Sequence, residues 1–289
     1  CSNQSYVFKY NVLEGLKPGS TFLLNTIWSP EEVETHLPAA YKRYIANNDI
    51  KFYTINAVKI AQEIGLGGRT NMIMQSAFFK LANIIPIDDA IKYLKDSVVT
   101  SYGKKGQKVV DMNNAAIDQG VQSLVKIEVP EAWKTVADEA PVEIKHASQF
   151  VKDVVIPMNR LEGDNLPVSA FTHMPDGTFE AGTAAFEKRG IAVNVPEWNS
   201  DKCIQCNQCS MVCPHAAIRP FLVNESEKAN APESAKIVDA KGLKTDEKLY
   251  FAMGITPLDC SGCGNCALVC PVDALEMKPA ESQKDQAEA

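Results

Sequence analysis

The sequence of 289 residues lacks several features that assign a chain to a common class of protein. No apolar run approaches the roughly 20 residues that cross a bilayer, and residues 1–20 lack the charged start and apolar middle of a signal peptide. No block of Lys and Arg is present, and a net charge of -7 disfavours nucleic-acid binding, because neutralising phosphates requires a basic patch. We therefore expect no membrane and no nucleic-acid partner, and a cytoplasmic location.

The composition is that of a globular chain. Hydrophobic residues make up 45% of the sequence and charged residues 22%, which suits roughly one to three domains at this length. The first residue is Cys1 rather than Met, so we expect that the chain was processed or belongs to something longer.

Residues 1–130 show alternating helix and strand patterns. The motif Ser29-Pro30-Glu31-Glu32 predicts a helix start, with Ser as the N-cap and Glu closing a capping box, and this helix is expected to run to about Ala46. Only two strands are clear, too few for an independent layer, so we expect the opening strands to lie before Cys1. Strands are predicted over 21–25 and 51–55, and further helices over 57–66 (stopped by Gly67), 71–84, 88–102 and 107–125.

Two cysteine runs dominate the second half of the chain. Of nine cysteines, Cys1 stands alone and the other eight lie within residues 203–270. The spacing C-x2-C-x2-C-x3-C-P occurs twice in full, offset by 57 residues, and it is the bacterial-type ligand run of [4Fe–4S] clusters. The runs consist of Cys203, Cys206, Cys209 and Cys213, and of Cys260, Cys263, Cys266 and Cys270.

The fourth cysteine of such a run binds the other cluster in two-cluster domains. The first [4Fe–4S] cluster is therefore predicted on Cys203, Cys206, Cys209 and Cys270. The second is predicted on Cys260, Cys263, Cys266 and Cys213. Because all eight ligands are cysteine, no iron keeps an open site for substrate, and we expect this domain to carry electrons rather than to catalyse chemistry.

Zinc and disulfides are weaker interpretations of the same cysteines. Structural zinc takes four ligands, usually as two separated pairs, whereas each run here has three closely spaced cysteines and a Cys-Pro. Disulfide frameworks are typical of short secreted chains. Both alternatives are disfavoured by the duplicated spacing.

Composition and motifs together divide the chain. Residues 130–197 are interrupted by prolines and turn signals, residues 224–249 are predicted as a polar loop, and the tail has little to bury. The predicted domains are a partial α/β domain with a parallel sheet and helices (1–140), an irregular linker domain (141–185), a bacterial ferredoxin-like α+β domain with two [4Fe–4S] clusters (186–279) and a polar tail (280–289).

Other candidate sites are weaker. Gly65-Leu-Gly67-Gly68-Arg69-Thr70-Asn71 precedes a helix, but it lacks the phosphate-binding patterns G-x-G-x-x-G and GK[ST], so a helix C-cap turn is favoured. His215 follows Cys213-Pro214 and is interpreted as a surface or packing residue, and Cys1 as a buried residue rather than a nucleophile. We predict no catalytic residue and no cofactor site beyond the clusters. The remaining histidines are scattered without a carboxylate partner: His36, His146 and His173.

The cysteine runs and their flanks resemble the pyruvate:ferredoxin (flavodoxin) oxidoreductases. The resemblance includes segments that generic ferredoxins do not share, and it extends over the whole chain except the tail. These segments are KRGIAVNVPEW at 188–198, GGRTNMIMQSAFF at 67–79, CPHAAIRP at 213–220 and PLDCSGCGNC at 257–266.

This resemblance implies an enzyme that decarboxylates a 2-oxoacid, passes electrons along [4Fe–4S] clusters to ferredoxin or flavodoxin, and transfers the acyl group to coenzyme A. The chain would be an internal fragment, from the later part of the third domain through the two-cluster domain. The remaining domains of a homodimeric enzyme would supply thiamine diphosphate, Mg and a third [4Fe–4S] cluster. The fragment alone is not expected to be catalytic.

Three functions remain open at this point. The preferred one is the electron conduit of a pyruvate:ferredoxin oxidoreductase. The second is a ferredoxin-type carrier that is fused to an α/β domain or serves another 2-oxoacid oxidoreductase or redox complex. The third is a module in which the clusters are structural, which the duplication disfavours because one cluster would suffice.

Overall fold

The computed structural model describes residues 1–140, 144 and 146–287, with side chains through residue 283. The predicted linker boundary at residue 141 and the end of the predicted tail, 288–289, lie outside the described residues. The chain separates into two compact units, Cys1–Pro175 and Asp176–Ala289. The finer division into domains stays a prediction.

The first unit contains a small mixed sheet. Strands β1 (Thr21–Asn25) and β2 (Lys51–Ile55) are parallel, with Thr21 opposite Lys51, as expected from the helices between them. A third strand, β3 (Val125–Lys126), pairs antiparallel with β2. Residue 125 was predicted to be helical, which is wrong, because the preceding helix ends at Gln122.

Helices in this unit follow the predicted order with corrected bounds. The predicted helix over 30–46 is two helices, because Pro38 lacks an N–H and Leu37 takes extended backbone. The capping box on Ser29 is confirmed. The helix predicted over 57–66 is capped by Gly65 (φ 89°) rather than stopped by Gly67. The helices are α1 (Pro30–His36), α2 (Ala39–Asn47), α3 (Ala57–Ile64), α4 (Asn71–Ala82), α5 (Ile87–Tyr102) and α6 (Gln107–Gln122).

The core of this helical layer depends on a close approach of α4 and α6. Ile73 of α4 and Ile117 of α6 are fully buried. A Cβ at Gly120 would lie 2.3 Å from the carbonyl oxygen of Ile73 and 2.1 Å from Ser76 Oγ. Because glycine has no Cβ, it is the residue that lets the two backbones approach each other at this point.

Residues 131–186 contain short helical turns, as their proline content indicates. Trp133 and Val151 are buried within the first unit. The turns are Glu131–Thr135, the π-helical Val151–Val155 followed by α7 (Ile156–Asn159), Gly163–Asn165, Val168–Phe171 and Thr183–Phe186.

The second unit consists of two small antiparallel sheets and short helices. One sheet pairs β4 (Asn194–Trp198) with β8 (Leu275–Pro279). The other has the order β5-β7-β6, and its strands are β5 (Ile218–Val223), β6 (Ile237–Asp239) and β7 (Tyr250–Ile255). The helices are α8 (Gln208–Met211), α9 (Glu225–Ala229) and α10 (Asn265–Leu268).

Two predicted polar segments contain regular structure. The predicted loop at 224–249 holds α9, which opens with a capping box between Asn224 and Glu227, and β6, which is stabilised by pairing with β7. The predicted tail forms 3-10 turns over Ala280–Ala287, where the Ala280 N–H donates to the Val193 carbonyl at 2.8 Å. Within the part of the chain that the structure describes, no helix has the length and apolar character to cross a membrane.

The sequence repeat is also a structural repeat. A shift of 57 residues places the bounds of α8 on those of α10, and it places the bounds of β4 on β7 and of β5 on β8 to within one residue. Each sheet joins one strand from each copy, since β4 pairs with β8 and β5 with β7. The two copies therefore form one interlocked unit.

Candidate iron–sulfur centres

Two loops of equivalent shape carry the first three cysteines of each run. We call residues 203–209 the first loop and residues 260–266 the second loop. The first turns through left-handed backbone at Gln205 (φ 60°) and Asn207 (φ 61°), and the second at Gly262 (φ 71°) and Gly264 (φ 79°). These turns wind each loop back on itself, so that its three cysteines line one cavity.

The strand pairing decides which fourth cysteine reaches which loop. Trp198 at the end of β4 lies opposite Leu275 at the start of β8. The first loop follows Trp198, and Cys270 precedes Leu275 by five residues, so both lie at the same end of this sheet. In the other sheet Ile255, which precedes the second loop, lies opposite Ile218, which follows Cys213.

Each loop borders a cavity with cysteines from both runs. The cavity at the first loop encloses about 350 Å³, open space at its mouth included, and its lining contains Cys203, Cys206, Cys209 and Cys270. The cavity at the second loop encloses about 390 Å³ on the same measure, and its lining contains Cys260, Cys263, Cys266 and Cys213. The predicted ligand residues thus lie together in two groups of four.

Backbone N–H groups donate to four of these sulfur atoms in a repeated pattern. Gln205 N donates to Cys203 Sγ at 3.3 Å, and Gly262 N donates to Cys260 Sγ at 3.3 Å. The fourth cysteines accept in the same way: Cys213 Sγ from Ala217 N at 3.2 Å and Cys270 Sγ from Ala274 N at 3.1 Å. Such donors stabilise sulfur that carries negative charge, as metal-bound thiolate does.

Burial opposes ionisation of several of these thiols in the cluster-free chain. Desolvation raises the pKa of Cys266 to about 11, and it also raises the pKa of Cys209 and of Cys260. A buried thiolate therefore needs a compensating cation, and metal binding supplies one while it releases the thiol protons.

The side chains fit a cluster of several irons. All eight cysteines are free thiols, and no three His, Cys, Asp or Glu side chains of the described residues are placed to hold a single metal ion. A four-iron cluster binds one thiolate at each iron, so its ligands surround a larger volume than those of a single ion. Trp198, which is 4% exposed, borders the first cavity, and its indole N–H has no hydrogen-bond partner among the described residues.

The other candidate residues lie apart from the cysteines or have packing roles. His36 stacks on Trp28 at 5.1 Å between ring centroids, and His173 contacts Phe150 edge-on at 5.9 Å. His215 is exposed at the rim of the second cavity. Gly65 caps α3, as the turn interpretation of this segment predicts.

One set of contacts was missed by sequence reasoning. Gln205 Nε2 donates to the Asp239 carbonyl at 2.9 Å, and Lys241 Nζ donates to the Cys203 carbonyl at 2.8 Å. Both partners lie near β6, within the segment predicted to be a loop. No local motif marks them, because the contacts depend on the pairing of β6 with β7.

Three family models match successive parts of the chain. Residues 1–123 match the one described as pyruvate ferredoxin/flavodoxin oxidoreductase. Residues 137–192 match EKR, a domain of unknown function, and residues 202–274 match a 4Fe-4S dicluster domain. The prediction of two [4Fe–4S] clusters is confirmed by the last match.

Individual relatives align along nearly the whole chain. It is 59% identical to a pyruvate-flavodoxin oxidoreductase of Enterobacter agglomerans, 56% to a pyruvate:ferredoxin oxidoreductase of Moorella thermoacetica and 52% to a pyruvate-flavodoxin oxidoreductase of Klebsiella pneumoniae. The alignments cover between 97% and 100% of this chain and 24% of each relative. The chain thus spans about a quarter of the length of the curated relatives it matches. The resemblance inferred from the sequence, to a fragment of these enzymes, is confirmed.

Proposed function

We propose that this chain is the two-cluster electron-transfer segment of a pyruvate:ferredoxin (flavodoxin) oxidoreductase. The observation that carries this proposal is the pair of cavities, each lined by four cysteines from a duplicated ligand run. A [4Fe–4S] cluster, when bound, accepts and releases one electron. The chain would relay electrons from oxidative decarboxylation of pyruvate, with formation of acetyl-CoA, to ferredoxin or flavodoxin.

The proposed ligands exchange between the two runs. The first ligand set is Cys203, Cys206, Cys209 and Cys270, and the second ligand set is Cys260, Cys263, Cys266 and Cys213. The composition of the two cavities and the register of the two sheets support this assignment. The backbone donors to sulfur at Cys203, Cys213, Cys260 and Cys270 favour the charged form of each ligand set.

The proposed role of these residues is to hold redox groups, not to bind substrate. Both sets are all-cysteine, so every iron is fully ligated by protein and inorganic sulfide. Catalysis is therefore assigned to other parts of a longer enzyme, which would supply thiamine diphosphate, Mg and a third [4Fe–4S] cluster.

The division of the rest of the chain is proposed as the sequence predicts it. Residues 1–140 would be the later part of an α/β domain, 141–185 a linker domain and 186–279 the ferredoxin-like domain. We propose a cytoplasmic homodimer of the full enzyme. Service to another 2-oxoacid oxidoreductase or redox complex is the second candidate, because two all-cysteine sites can carry electrons whichever acid is oxidised.

The ligand exchange is tested by removing one fourth cysteine at a time. Cys213→Ala is expected to destabilise the second cluster, because that cluster loses a thiolate, and to leave the first intact. Cys270→Ala is the matched control and is expected to do the reverse. The structure of each variant, with iron content, identifies the vacant corner; a vacancy beside Cys206 in Cys213→Ala would show that each run binds its own cluster.

Electron paramagnetic resonance tests the electron-transfer role. The reduced full-length protein is expected to give two interacting S = 1/2 signals from this segment. Zinc on metal analysis, or clusters that stay oxidised at the potential of reduced ferredoxin, would refute the conduit. Residues 1–289 alone are expected to show no thiamine-dependent decarboxylation of pyruvate.

A further inference from the structure

The two copies of the repeat differ most in what supports their cysteine loops. Between β5 and β7 the first copy carries residues 224–249, which we call the inserted segment. From this segment Lys241 N donates to Gln205 Oε1 at 2.7 Å, and Gln205 Nε2 donates back to the Asp239 carbonyl at 2.9 Å. Both the oxygen and the nitrogen of the Gln205 side-chain amide thus bind the inserted segment.

The side chain of Lys241 also brings a positive charge close to the first ligand set. Lys241 Nζ donates to the carbonyl oxygen of Cys203 at 2.8 Å, so the ammonium contacts the backbone of a proposed ligand residue. The Asp239 carboxylate of this segment lies 3.7 Å from Lys248 Nζ and is therefore partly neutralised. Lys241 adds net positive charge at this loop.

The second loop is supported differently, and its ligand set also lies near a cation, because Arg219 Nε donates to the Ala216 carbonyl at 2.7 Å, three residues after Cys213. Gly262 occupies the position that corresponds to Gln205 and has no side chain with which to bind a supporting segment. Asp259, which directly precedes the second loop, forms an ion pair with Lys188 at 2.5 Å, so these two charges cancel. The Gly190 N–H donates to the Leu258 carbonyl at 2.8 Å and supports the loop without charge.

We infer that Lys241 is a positioning residue that raises the reduction potential of the first cluster, an inference that rests on the proposed function. A nearby cation favours the form that has gained an electron, and net charge is one of the factors that set the potential of a cluster. One electron leaves the second cluster and one enters the first, with no bond formed or broken. Lys241 therefore increases the share of the electron that the first cluster holds at equilibrium.

The test measures potentials in the full-length protein with its clusters. Lys241→Met removes the charge, and Lys244→Met removes a charge from an exposed lysine of the same inserted segment and serves as the matched control. Lys241→Arg keeps the charge and is the conservative rescue. Paramagnetic resonance at poised potentials gives each midpoint, and Cys206→Ser identifies the midpoint of the first cluster.

In Lys241→Met, the ratio of reduced to oxidised first cluster at a fixed potential is expected to fall roughly threefold to tenfold, where tenfold is 59 mV for one electron. The midpoint potential of the second cluster should stay close to wild type in Lys241→Met. Both midpoints should stay close to wild type in Lys244→Met and in Lys241→Arg. An unchanged first midpoint, an equal shift in Lys244→Met or an equal shift of both clusters would overturn the inference. Each of these results leaves the proposed function standing, whereas a wild-type protein without two four-iron clusters would refute both.

Discussion

A substitution at Gly262 separates two reasons why the second loop contains glycine. Gly262 and Gly264 both have left-handed backbone, at φ 71° and φ 79°. Left-handed backbone costs an ordinary residue about 1–2 kcal/mol. The two positions differ in their surroundings, because a Cβ at Gly262 would lie 2.9 Å from the Asn194 carbonyl oxygen, whereas a Cβ at Gly264 would meet nothing within 4 Å.

The difference between the two alanine variants therefore measures the close approach alone. Both Gly262→Ala and Gly264→Ala should lose about 1–2 kcal/mol to backbone strain. Gly262→Ala should lose a further amount of about 1–3 kcal/mol, typical of overpacking, since Asn194 is fixed by pairing with Pro279 in the β4–β8 sheet. Relief would require the second loop to move away from β4.

Chelator-induced loss of iron from the second cluster is the appropriate assay, combined with urea unfolding. We expect Gly262→Ala to lose this cluster markedly faster than Gly264→Ala, while the first cluster keeps its wild-type rate in both. Equal rates and equal unfolding free energies in the two variants would refute the steric argument. A loss confined to the first cluster would contradict the assignment of this loop.

Four further experiments test other parts of the chain. Gly120→Ala should cost about 1–3 kcal/mol of unfolding free energy in urea, because its Cβ would lie 2.3 Å from the Ile73 carbonyl oxygen, and iron content should not change. Ser29→Ala removes the N-cap of α1 and its capping box, for an expected loss of about 1 kcal/mol in the same assay. In the cluster-free chain the raised pKa of Cys266, about 11, keeps the thiol protonated at neutral pH; its alkylation rate, followed by mass spectrometry, should rise about tenfold per pH unit and level off only above that pKa. Deleting residues within 226–235 should leave both clusters in place, because the contacts to the first loop come from 239–241; loss of half the iron would show that α9 is structural.

The cysteine positions could be predicted from the sequence because the ligand run is local and its spacing is restrictive. The helix break at Pro38 was also readable, since proline disfavours helical backbone in the residue before it, although the single-helix prediction ignored it. The C-cap at Gly65 was placed two residues late for a related reason: three glycines follow one another closely, and only the structure shows which of them has taken left-handed backbone at the helix end.

The inserted segment could not be predicted in the same way. Its strand β6 has three residues, Ile237–Asp239, and is flanked by charged and small residues, so no alternating pattern of useful length exists. The strand forms because β7 offers a free edge, where Ile237 lies opposite Ala252. A contact that depends on a partner distant in the sequence leaves no local signal. For this reason Gln205 and Lys241 were not predicted to belong to the site.

Equivalent left-handed positions in the two copies are occupied by different residues. Both copies have positive φ at three equivalent places, and the second copy meets two of them with Gly262 and Gly264. The first copy has Gln205 and Asn207 instead, so it accepts the cost of left-handed backbone on a side chain. At Gln205 that cost is offset by two hydrogen bonds to the inserted segment, which the second copy cannot make, because a Cβ at Gly262 would press on Asn194. The close approach of Asn194 at Gly262 thus explains why the side-chain support seen at Gln205 has no counterpart in the second loop.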